Sequence, residues 1–396
     1  MADKVAIVGA GIGGLAAALA MLRQGIDVEV HEQAPELKEL GAGVQISSNG
    51  TRVLYALGLK EGMERLGVIV AGKEIRLGST GQTWKLFDLG GISVERYGAP
   101  YMMFHRGDLH AILLDAIRRE KPDAIRLNRK CIGVVQDTIG ATLQFEDGTT
   151  TSAPIAIGAD GVQSRVRASL FGADRPEFTG IVAWRGLIPR AKVPAGVKMD
   201  VGTNWVGPGG HVVQYPVRGG KLLNFVGLLE RDDWRVESWT VQGTKDEFAN
   251  DFRNWNAAIH ECIRSVDVPY KWALFARPPM KAWTQGRVTL LGDACHSMLP
   301  MLAQGAVMAL EDGMVLARCI KKYGVQPEAL QRYEAVRRER ANRAVSGSAE
   351  NAKRFHNPEL AHAAGADAYV TREWQEDKVK QRYEWLFTYD ATSVAI

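Results

Sequence analysis

The sequence predicts an α/β fold of two domains, in which a mostly antiparallel sheet is inserted into a domain built on a parallel sheet. Near the N-terminus, an apolar run at 4–8, an Ala- and Leu-rich run at 14–24 and an alternating run at 27–32 form one β-α-β unit. From about 178 to 276, aromatic and β-branched residues alternate with Gly and Pro, as is typical of antiparallel strands. A chain of 396 residues suits two packed domains better than one.

The remaining patterns complete the first domain. Helices are predicted over 106–119, 305–321 and 327–356. Short apolar runs predict buried strands over 155–157 and 287–291, and a hairpin is predicted over 141–153. We therefore assign residues 1–177 and 277–345 to the first domain and 178–276 to the inserted one. Residues 346–396 are predicted to form a helical or irregular C-terminal tail.

Composition excludes several classes of protein. The net charge is +4, from 49 basic and 45 acidic residues, which is too balanced to indicate a nucleic-acid or membrane surface. The four cysteines lie far apart without metal-ligand spacing, so neither a disulfide framework nor a metal site is expected, and a cytoplasmic location fits. The sequence also lacks a secretory signal pattern and an apolar run long enough to span a membrane.

A glycine motif follows the first predicted strand. Gly9, Gly11 and Gly14 form G-x-G-x-x-G, in which the glycines allow a tight turn, a close approach to a pyrophosphate and close packing of helix on strand. Glu32 ends the next strand, where a carboxylate accepts hydrogen bonds from ribose hydroxyls. The alternative is a glycine-rich turn beside an exposed Glu. The pattern predicts a Rossmann-type dinucleotide site, and it leaves the choice between NAD and FAD open.

Two further segments carry a resemblance to a known family. The segment around Asp160 (DGVQSRVR) follows a buried strand, and the segment beginning at Gly292-Asp293 (GDACHSMLPMLAQGAVMALED) follows another. Together with the glycine motif, in this order and spacing, they resemble the single-component FAD-dependent aromatic hydroxylases over residues 4–345. The resemblance implies the fold of 4-hydroxybenzoate hydroxylase, with FAD in the parallel-sheet domain and the substrate against the inserted sheet.

The resemblance also implies roles for individual residues. Asp293 would accept from a ribityl hydroxyl of FAD, and the backbone amides of Gly305 and Ala306 would face the N1 and O2 edge of the flavin, where a helix N-terminus stabilises negative charge. Arg106 would contact the flavin phosphates or ring, the alternative being a helix-start residue paired with an acid. Asp160 would serve the pyrophosphate and the nicotinamide cofactor, the alternative being an Asp in a turn before Gly.

His211 and Tyr215 are the candidate catalytic residues. They match the pocket His and Tyr of the subgroup that contains 3-hydroxybenzoate 6-hydroxylase and 6-hydroxynicotinate 3-monooxygenase; salicylate hydroxylase is a more distant match. Being four residues apart on a strand, they share one face. The family transfers a hydroxyl from a flavin C4a-hydroperoxide, and a base that draws off a phenolic proton makes the ring nucleophilic. The alternative is a His and a Tyr that only pack within the sheet.

The markers of the subgroups disagree. Pro300 stands where the 3-hydroxybenzoate enzymes have Gln, and Met301 offers no hydrogen bond, whereas Gln45 agrees with the 3-hydroxybenzoate type. Arg185, Gln214 and Arg218 are possible donors to a substrate carboxylate. The individual substrate therefore stays open.

We expect a flavin monooxygenase that uses NADH or NADPH and O₂ to hydroxylate a small hydroxylated aromatic or pyridine carboxylic acid. The alternatives are a non-catalytic flavin-binding protein and a related flavoenzyme acting on a larger aromatic without a carboxylate. A halogenase is disfavoured, because the sequence has no Trp-x-Trp-x-Ile-Pro segment. A homodimer is expected from the resemblance, since dimers are common in the family.

Overall fold

The computed structural model describes residues 4–37, 42–236 and 241–396, and the strands within them form four sheets. The strands are β1 (Val5–Val8), β2 (Val28–His31), β3 (Gly43–Ile46), β4 (Val68–Ile69), β5 (Gly72–Leu77), β6 (Thr83–Asp88), β7 (Met102–His105), β8 (Ile125–Arg126), β9 (Cys131–Gln136), β10 (Ala141–Phe145), β11 (Thr150–Ala153), β12 (Ala156–Gly158), β13 (Glu177–Pro189), β14 (Val201–Gly207), β15 (Gly210–Val217), β16 (Leu222–Glu230), β17 (Tyr270–Ala276), β18 (Thr284–Gln285) and β19 (Val288–Leu290).

The helices alternate with these strands and then dominate the C-terminal part. They are α1 (Ile12–Leu22), α2 (Ser48–Ala56), α3 (Lys60–Leu66), α4 (Gly90–Tyr97), α5 (Arg106–Glu120), α6 (Arg165–Phe171), α7 (Lys245–Asp251), α8 (Ala257–Ser265), α9 (Asp293–His296), α10 (Gly305–Tyr323), α11 (Pro327–Phe355), α12 (Ala363–Glu373) and α13 (Glu376–Phe387). Short 3₁₀ turns cover Arg190–Lys192, Pro300–Leu302 and Pro358–Ala361.

A six-stranded sheet in the order β18-β19-β12-β1-β2-β8 forms the first domain. Neighbours from β19 to β8 pair in parallel, and β18 is antiparallel to β19. The predicted β-α-β unit is β1-α1-β2, and the strands predicted near 155 and 288 enter the same sheet as β12 and β19. In a parallel sheet the carboxyl ends of the strands share one edge, so Gly9, Glu32, Asp160 and Asp293 are brought to the same edge.

Small residues let α1 pack closely between this sheet and α10. A β-carbon added at Gly13 would lie 2.8 Å from Leu291 Cδ2 and 3.0 Å from Ala309 Cβ. One added at Gly313 would lie 2.8 Å from the backbone nitrogen of Ala17. The Ala- and Gly-rich composition of α1 therefore reflects burial on two sides, and the helix carries its apolar residues around most of its circumference.

The second domain is built on a seven-stranded sheet in the order β17-β13-β16-β15-β14-β5-β6. Its neighbours are antiparallel except for β14 and β5, which are parallel. The predicted inserted domain, 178–276, supplies five of these strands. The other two, β5 and β6, come from residues 72–88, which the sequence assigned to the first domain. The second sheet thus draws on two separate stretches of chain.

The two faces of the seven-stranded sheet are covered differently. On one face Trp184, Phe225 and Phe248 belong to an apolar cluster closed by α7 and α8. The other face carries a cluster that includes Leu299, Met301 and residues of the C-terminal helices. This second face looks towards the segment that follows Asp293, so it is the face on which a ligand could meet both domains.

The tail is mostly helical and is fastened to the first domain by arginines. The tail was predicted to begin at 346, but α11 runs through that point to Phe355. Arg340 donates to the carbonyls of Trp385 (2.8 Å) and Leu386 (2.9 Å) in the last turn of α13, and after the helix Arg52 donates to the carbonyl of Tyr389 (2.6 Å). The aromatic residues of α13 are therefore held against the first domain.

Two further observations concern the chain as a whole. The four cysteines are unpaired and buried. Within the described ranges, every helix is either too short or too polar to cross a lipid bilayer.

Candidate active site

The glycine motif forms the turn between β1 and α1. A β-carbon at Gly9 would lie 2.4 Å from the carbonyl oxygen of Ala159, and one at Gly14 would lie 2.0 Å from that of Gly9. Gly9 also has a φ of +101°, which disfavours any other residue. At Gly11, by contrast, a β-carbon would have no atom within 4 Å. Gly9 and Gly14 are thus required by packing, while Gly11 borders open space at the N-terminus of α1.

Glu32 lies beside this turn at the end of β2. Its Oε2 accepts from the backbone nitrogen of Ala10 (2.8 Å) and its Oε1 from that of Ala34 (2.9 Å). His110 of α5 reaches the same turn, with its Nε2 2.8 Å from the carbonyl oxygen of Ala10. Each carboxylate oxygen of Glu32 keeps a further lone pair, so the group is held in place and can still accept from a ligand.

Asp160 adjoins the glycine turn through its backbone, and its carboxylate faces α6. Its Oδ1 accepts from the Ser164 hydroxyl (2.6 Å), and its Oδ2 accepts from the backbone nitrogens of Arg165 (2.7 Å) and Val166 (3.1 Å). Burial raises the pKa of Asp160, against the effect of these hydrogen bonds. The geometry therefore gives this carboxylate a helix-capping role next to the turn.

Asp293, Gly305 and Ala306 meet where two helices begin. Asp293 is the first residue of α9 and is exposed, although the residues that follow it are buried. A β-carbon at Gly305 would lie 4.0 Å from its Oδ1. Gln304, which precedes α10, makes no side-chain cap, so the first amides of this helix, including those of Gly305 and Ala306, are not satisfied by a cap. The carboxylate and the helix N-terminus thus face the same space.

Arg106 opens α5, and its backbone nitrogen donates to the carbonyl of Ala42 (2.8 Å). Its charge lies close enough to Arg185 to lower the pKa of that guanidinium, after the larger effect of burial. Arg185 also lines a cavity of about 210 Å³, together with Ala42, Asn224 and Tyr270. Two guanidinium groups this close to one another favour an anion beside them.

A buried ionic cluster lies behind the start of α10. His296 Nε2 is 2.5 Å from Asp312 Oδ2, and Arg337 bridges Asp312 (2.8 Å) and Glu311 (2.6 Å). Cys295, His296 and Asp312 would also be near enough to share a metal ion. However, Asp312 is already paired with two groups, and burial raises the pKa of the Cys295 thiol well above its ordinary value. The cluster is therefore explained by ion pairing.

This cluster reaches the first turn of α10 through amide groups. Asn49 Nδ2 donates to Glu311 (2.7 Å) and to Gln304 Oε1 (3.3 Å). Gln304 Nε2 in turn donates to the Ser47 hydroxyl (2.9 Å). The residue that precedes Gly305 is thus fixed by buried hydrogen bonds, which orients the helix N-terminus.

His211 and Tyr215 lie on β15 and are both buried. The ring of His211 packs on Phe355, with centroids 5.2 Å apart, on the face that also carries Leu299 and Met301. Its Nδ1 is 2.7 Å from His356 Nε2. Burial, and then the neighbouring His356, hold the pKa of His211 well below its ordinary value. The imidazole is therefore neutral near pH 7, which is the form that can accept a proton.

Tyr215 ends a chain of polar side chains that begins at Lys73. Lys73 Nζ donates to the Tyr101 hydroxyl (2.9 Å), which donates to Gln45 Oε1 (2.8 Å). Gln45 also hydrogen-bonds Tyr215, which favours its ionised form, although burial raises the pKa of Tyr215 overall. The strand pairing agrees: Lys73 lies opposite Gly202, and Tyr215 lies on the strand beyond it. A β-carbon at Gly202 would lie 3.2 Å from Met103 Cε and 3.5 Å from Lys73 Cγ, so the glycine leaves room for the lysine side chain to cross this strand.

Lys73 is a partly buried cation whose pKa departs from its ordinary value. Burial lowers its pKa from 10.5 to about 7. Its ammonium group lies 4.7 Å from the centroid of the Tyr101 ring and 5.8 Å from that of Phe87. Tyr383 of α13 packs on Phe87, with centroids 5.6 Å apart, so the tail helps to enclose the lysine. No carboxylate of the described residues pairs with Lys73.

The departure at Pro300-Met301 also has a structural context. Pro300 opens a 3₁₀ turn and is exposed, whereas Met301 is buried in the cluster on the second face of the large sheet. Asn351 of α11 donates to the Met301 carbonyl (3.3 Å). The segment is therefore fixed by α11.

The three suggested carboxylate donors differ in position. Gln214 is next to Tyr215 on β15, and successive side chains of a strand point to opposite faces. The buried side chain of Gln214 therefore lies on the face opposite to that of Tyr215. Arg218 is half exposed and pairs with Asp108 (3.2 Å). Only Arg185 lines the cavity described above. Gln214 and Arg218 are therefore not donors on the site's face.

These features fit FAD: open space beside Gly11, two helices whose first turns lack side-chain caps, and an exposed carboxylate at Asp293. The fold and the site thus define a protein that binds this dinucleotide at the carboxyl edge of a Rossmann-type sheet. The chain belongs to the FAD binding domain family, whose model matches residues 3–348. FAD as cofactor and the predicted fold class are confirmed.

Individual relatives are similar over nearly the whole chain. The 3-amino-4-hydroxybenzoate 2-monooxygenase PtnB3 of Streptomyces platensis is 36% identical over 99% of this chain and 97% of its own length. The 6-hydroxynicotinate 3-monooxygenase of Pseudomonas fluorescens is 36% identical over 92% of this chain and 95% of its own. The structure of HpxO of Klebsiella pneumoniae with FAD and uric acid matches with a TM-score of 0.83 and 26% identity, covering 96% of each chain. The predicted resemblance to the flavin-dependent aromatic hydroxylases is confirmed.

Several residues of the site were missed from the sequence. Lys73 and Tyr101 lie on segments that carry no motif, and the pairing of β5 with β14 is what brings Lys73 near Tyr215. His356 comes from the end of α11, 145 residues from its partner His211. Its signal in the sequence is only a histidine after a charged helix, which is too weak to single it out.

Proposed function

We propose that the protein is an FAD-dependent monooxygenase that uses NAD(P)H and O₂ to hydroxylate a small hydroxylated aromatic or pyridine carboxylic acid. Family membership and the chemistry in the names of the relatives support the class of reaction. The site supports it further, because the second face of the seven-stranded sheet carries both the neutral imidazole of His211 and the partly buried ammonium group of Lys73. Bound FAD, once reduced by the nicotinamide cofactor, would activate O₂, one atom of which enters the ring.

The first domain's residues hold the cofactor. The open space at Gly11 would take the pyrophosphate at the N-terminus of α1, and Glu32 would accept from the adenosine ribose. Asp293 would accept from a ribityl hydroxyl, while the amides of Gly305 and Ala306 would stabilise charge at the flavin edge. Arg106, whose charge acts on Arg185 of the second sheet, would contact the phosphates or the ring of the flavin.

His211 acts as the base that draws the proton from the substrate's hydroxyl group. Its neutral form accepts that proton, and a phenolate is a much better nucleophile than a phenol. Tyr215, which accepts from Gln45, has its own hydroxyl proton free to donate to the substrate. His211 thereby activates the ring, and Tyr215 orients it.

The single observation that carries the substrate class is the charge of Lys73, which no carboxylate of the described residues neutralises. An ammonium group buried without a carboxylate partner is costly unless an anion joins it. A substrate carboxylate near Tyr215 and Tyr101 supplies that anion, which favours an aromatic acid over a neutral aromatic. An acid of this kind is also named in both relatives.

The cellular setting is part of the proposal. Four buried, unpaired cysteines are typical of a reducing compartment, which supports the cytoplasm. A homodimer, predicted from the family resemblance, stays a prediction.

A screen of NADH and NADPH oxidation tests the proposal. The purified protein should show flavin absorbance, and a panel of hydroxybenzoates, aminohydroxybenzoates and hydroxypyridine carboxylates should include one that accelerates oxidation and gains one oxygen atom by mass. The matched amides and methyl esters serve as controls, and they should be much weaker. A yellow protein that none of these acids stimulates would favour a non-catalytic flavin protein, and equal stimulation by acid and amide would favour a substrate without a carboxylate.

A further inference from the structure

Three side chains form a continuous hydrogen-bonded line from His211 to the surface. His211 Nδ1 is 2.7 Å from His356 Nε2, and His356 Nδ1 is 2.9 Å from Glu230 Oε1. The side chain of His356 is 1% exposed and that of Glu230 is 58% exposed. The line thus begins at the buried candidate base and ends in solvent.

The carboxylate at the outer end determines where the protons lie. An ionised Glu230 can only accept, so His356 must carry its proton on Nδ1. His356 Nε2 then has a lone pair, so His211 must donate to it from Nδ1. This leaves His211 Nε2 without a proton, and that atom has no hydrogen-bond partner among the described residues. The exposed glutamate therefore prepares the far nitrogen of His211 to accept a proton.

Resting on the function proposed above, we propose that His211, His356 and Glu230 form a relay that carries the phenolic proton of the substrate to solvent. His211 is the group that meets the substrate. His356 and Glu230 act through it, as positioning and proton-transfer residues.

The transfer balances at every atom. The substrate O–H bond breaks and its proton binds His211 Nε2, while the proton on His211 Nδ1 moves to His356 Nε2. The proton on His356 Nδ1 moves to Glu230 Oε1 and from there to water. The substrate keeps the electron pair as a phenolate, and no group is oxidised or reduced. When a proton returns to the product's oxygen along the same path in reverse, both imidazoles regain their starting tautomers.

The surroundings explain why a relay is needed. Burial, and then His356, lower the pKa of His211, and burial lowers that of His356 against the opposing effect of Glu230. These are the charged or titratable groups that act on the pair, and Phe355 supplies the apolar packing. An isolated imidazole held this far from its ordinary pKa would return the proton at once. Passing it to an exposed carboxylate removes the buried positive charge.

The backbone also holds the relay in place. The nitrogen of Gly209, in the turn between β14 and β15, donates to the carbonyl of His356 (3.1 Å). The nitrogen of Glu230 donates to the carbonyl of Gly209 (2.7 Å). The end of α11 is thereby tied to the strands that carry both other members.

Nitrogen NMR of ¹⁵N-histidine-labelled holoenzyme tests the tautomers without turnover. At pH 7 both His211 and His356 should be protonated on Nδ1 only, with assignments made from His211→Gln and His356→Phe. A His211 protonated on Nε2 in the resting enzyme would overturn the relay, whether or not the enzyme hydroxylates anything.

The rate at which bound phenol ionises tests the transfer itself. Oxidised enzyme is mixed with 3-amino-4-hydroxybenzoate, and the ultraviolet absorbance of the phenolate is followed by stopped flow from pH 5 to 9. Glu230→Gln keeps an acceptor oxygen but cannot take a proton, so it should slow ionisation about 10- to 100-fold. His356→Ala should do the same and be restored by added imidazole.

Exposed matched variants control for nonspecific effects. Glu359→Gln and His362→Phe, both on the surface nearby, should leave the rate and its pH profile unchanged. If Glu230→Gln and His356→Ala ionise the phenol as fast as the wild type, the relay is wrong and the proposed hydroxylase still stands. If this acid does not bind, the rate is measured with an acid of the panel that does; if none of the panel binds, the proposed substrate class fails, and the NMR result alone decides the relay.

Discussion

Replacing Lys73 with methionine tests two effects of its ammonium charge: a lower stability of the folded protein and a higher affinity for the substrate carboxylate. The pKa of Lys73 is about 7 in the folded protein against 10.5 ordinarily. The unfolded chain therefore binds more protons between these values, so the free energy of unfolding should rise as the pH increases from 7 to 10.5. The two pKa values differ by about 3.5, and each pKa unit corresponds to about 1.4 kcal/mol. The free energy of unfolding should therefore rise by at most about 5 kcal/mol over this pH range.

Lys73→Met removes that cost and also the hydrogen bond to Tyr101, which contributes about 1 kcal/mol. We therefore expect the free energy of unfolding at pH 7 to increase by about 2–4 kcal/mol, with a weaker dependence on pH above 7. Urea unfolding of the holoenzyme without substrate, from pH 6 to 10, measures both effects. Lys85→Met is the matched control, because Lys85 lies on the adjacent strand and is exposed.

The same variant should bind the substrate acid more weakly. Loss of a buried charge-assisted hydrogen bond costs about 1.5–3 kcal/mol, so Kd should rise about 10- to 150-fold. The matched amide should lose little affinity. Titration followed by flavin absorbance measures Kd. A variant that binds the acid as tightly as the wild type, or that is less stable at pH 7, would refute the assignment of Lys73 as an anion site maintained at a cost in stability.

Two other predictions concern the cofactor site and the buried ions. Gly11→Val should weaken FAD binding at least about 10-fold, because the valine side chain enters the open space at the N-terminus of α1. The same variant should leave the free energy of unfolding of the apoprotein within about 0.5 kcal/mol of the wild type. Gly91→Val on α4 is the control, and a Gly11→Val variant that binds FAD as tightly as the wild type would contradict the placement of the pyrophosphate. Arg337→Met should lower the free energy of unfolding by about 3–5 kcal/mol, because Glu311 and Asp312 lose the guanidinium that neutralises them. Exposed Arg332→Met on the same helix controls for loss of charge, and a small effect of Arg337→Met would show that the cluster relaxes.

The sequence predicted those parts of the first domain whose structure depends on residues close together in the chain. The turn at Gly9 and Gly14 needs glycines, and strands such as β1 are buried on both faces, so motif and hydrophobic run coincide there. The second sheet was harder, because β5 and β6 have mixed polar and apolar residues and join it from another part of the chain. Their membership depends on the pairing of β5 with β14, which no property of residues 72–88 alone reveals.

The candidate site divides in the same way. Asp293 and Gly305 were predicted because the family motif fixes them close together in sequence. Lys73 and His356 could not be predicted, because each contacts its partner only in the folded chain. Tyr101 is 28 residues from Lys73 in the sequence, and His211 is 145 residues from His356. His211 illustrates the limit: a pattern indicated its position, while its pKa depends on burial and on His356, which only the folded chain brings near.

The two polar chains also constrain how an aromatic acid would lie in the site. His211 and Tyr215 are four residues apart on one strand, or about 13 Å between their backbones, so their side chains can approach one ring from its two ends. The Lys73 chain ends at Tyr215, and it favours the carboxylate there. The relay ends at His211, and it favours the hydroxyl group there. A substrate bound in the reverse sense would bring its carboxylate to a neutral, desolvated imidazole and leave the ammonium of Lys73 unpaired. If His211 and Lys73 have the roles proposed for them, electrostatics along β15 would therefore select one orientation of the ring.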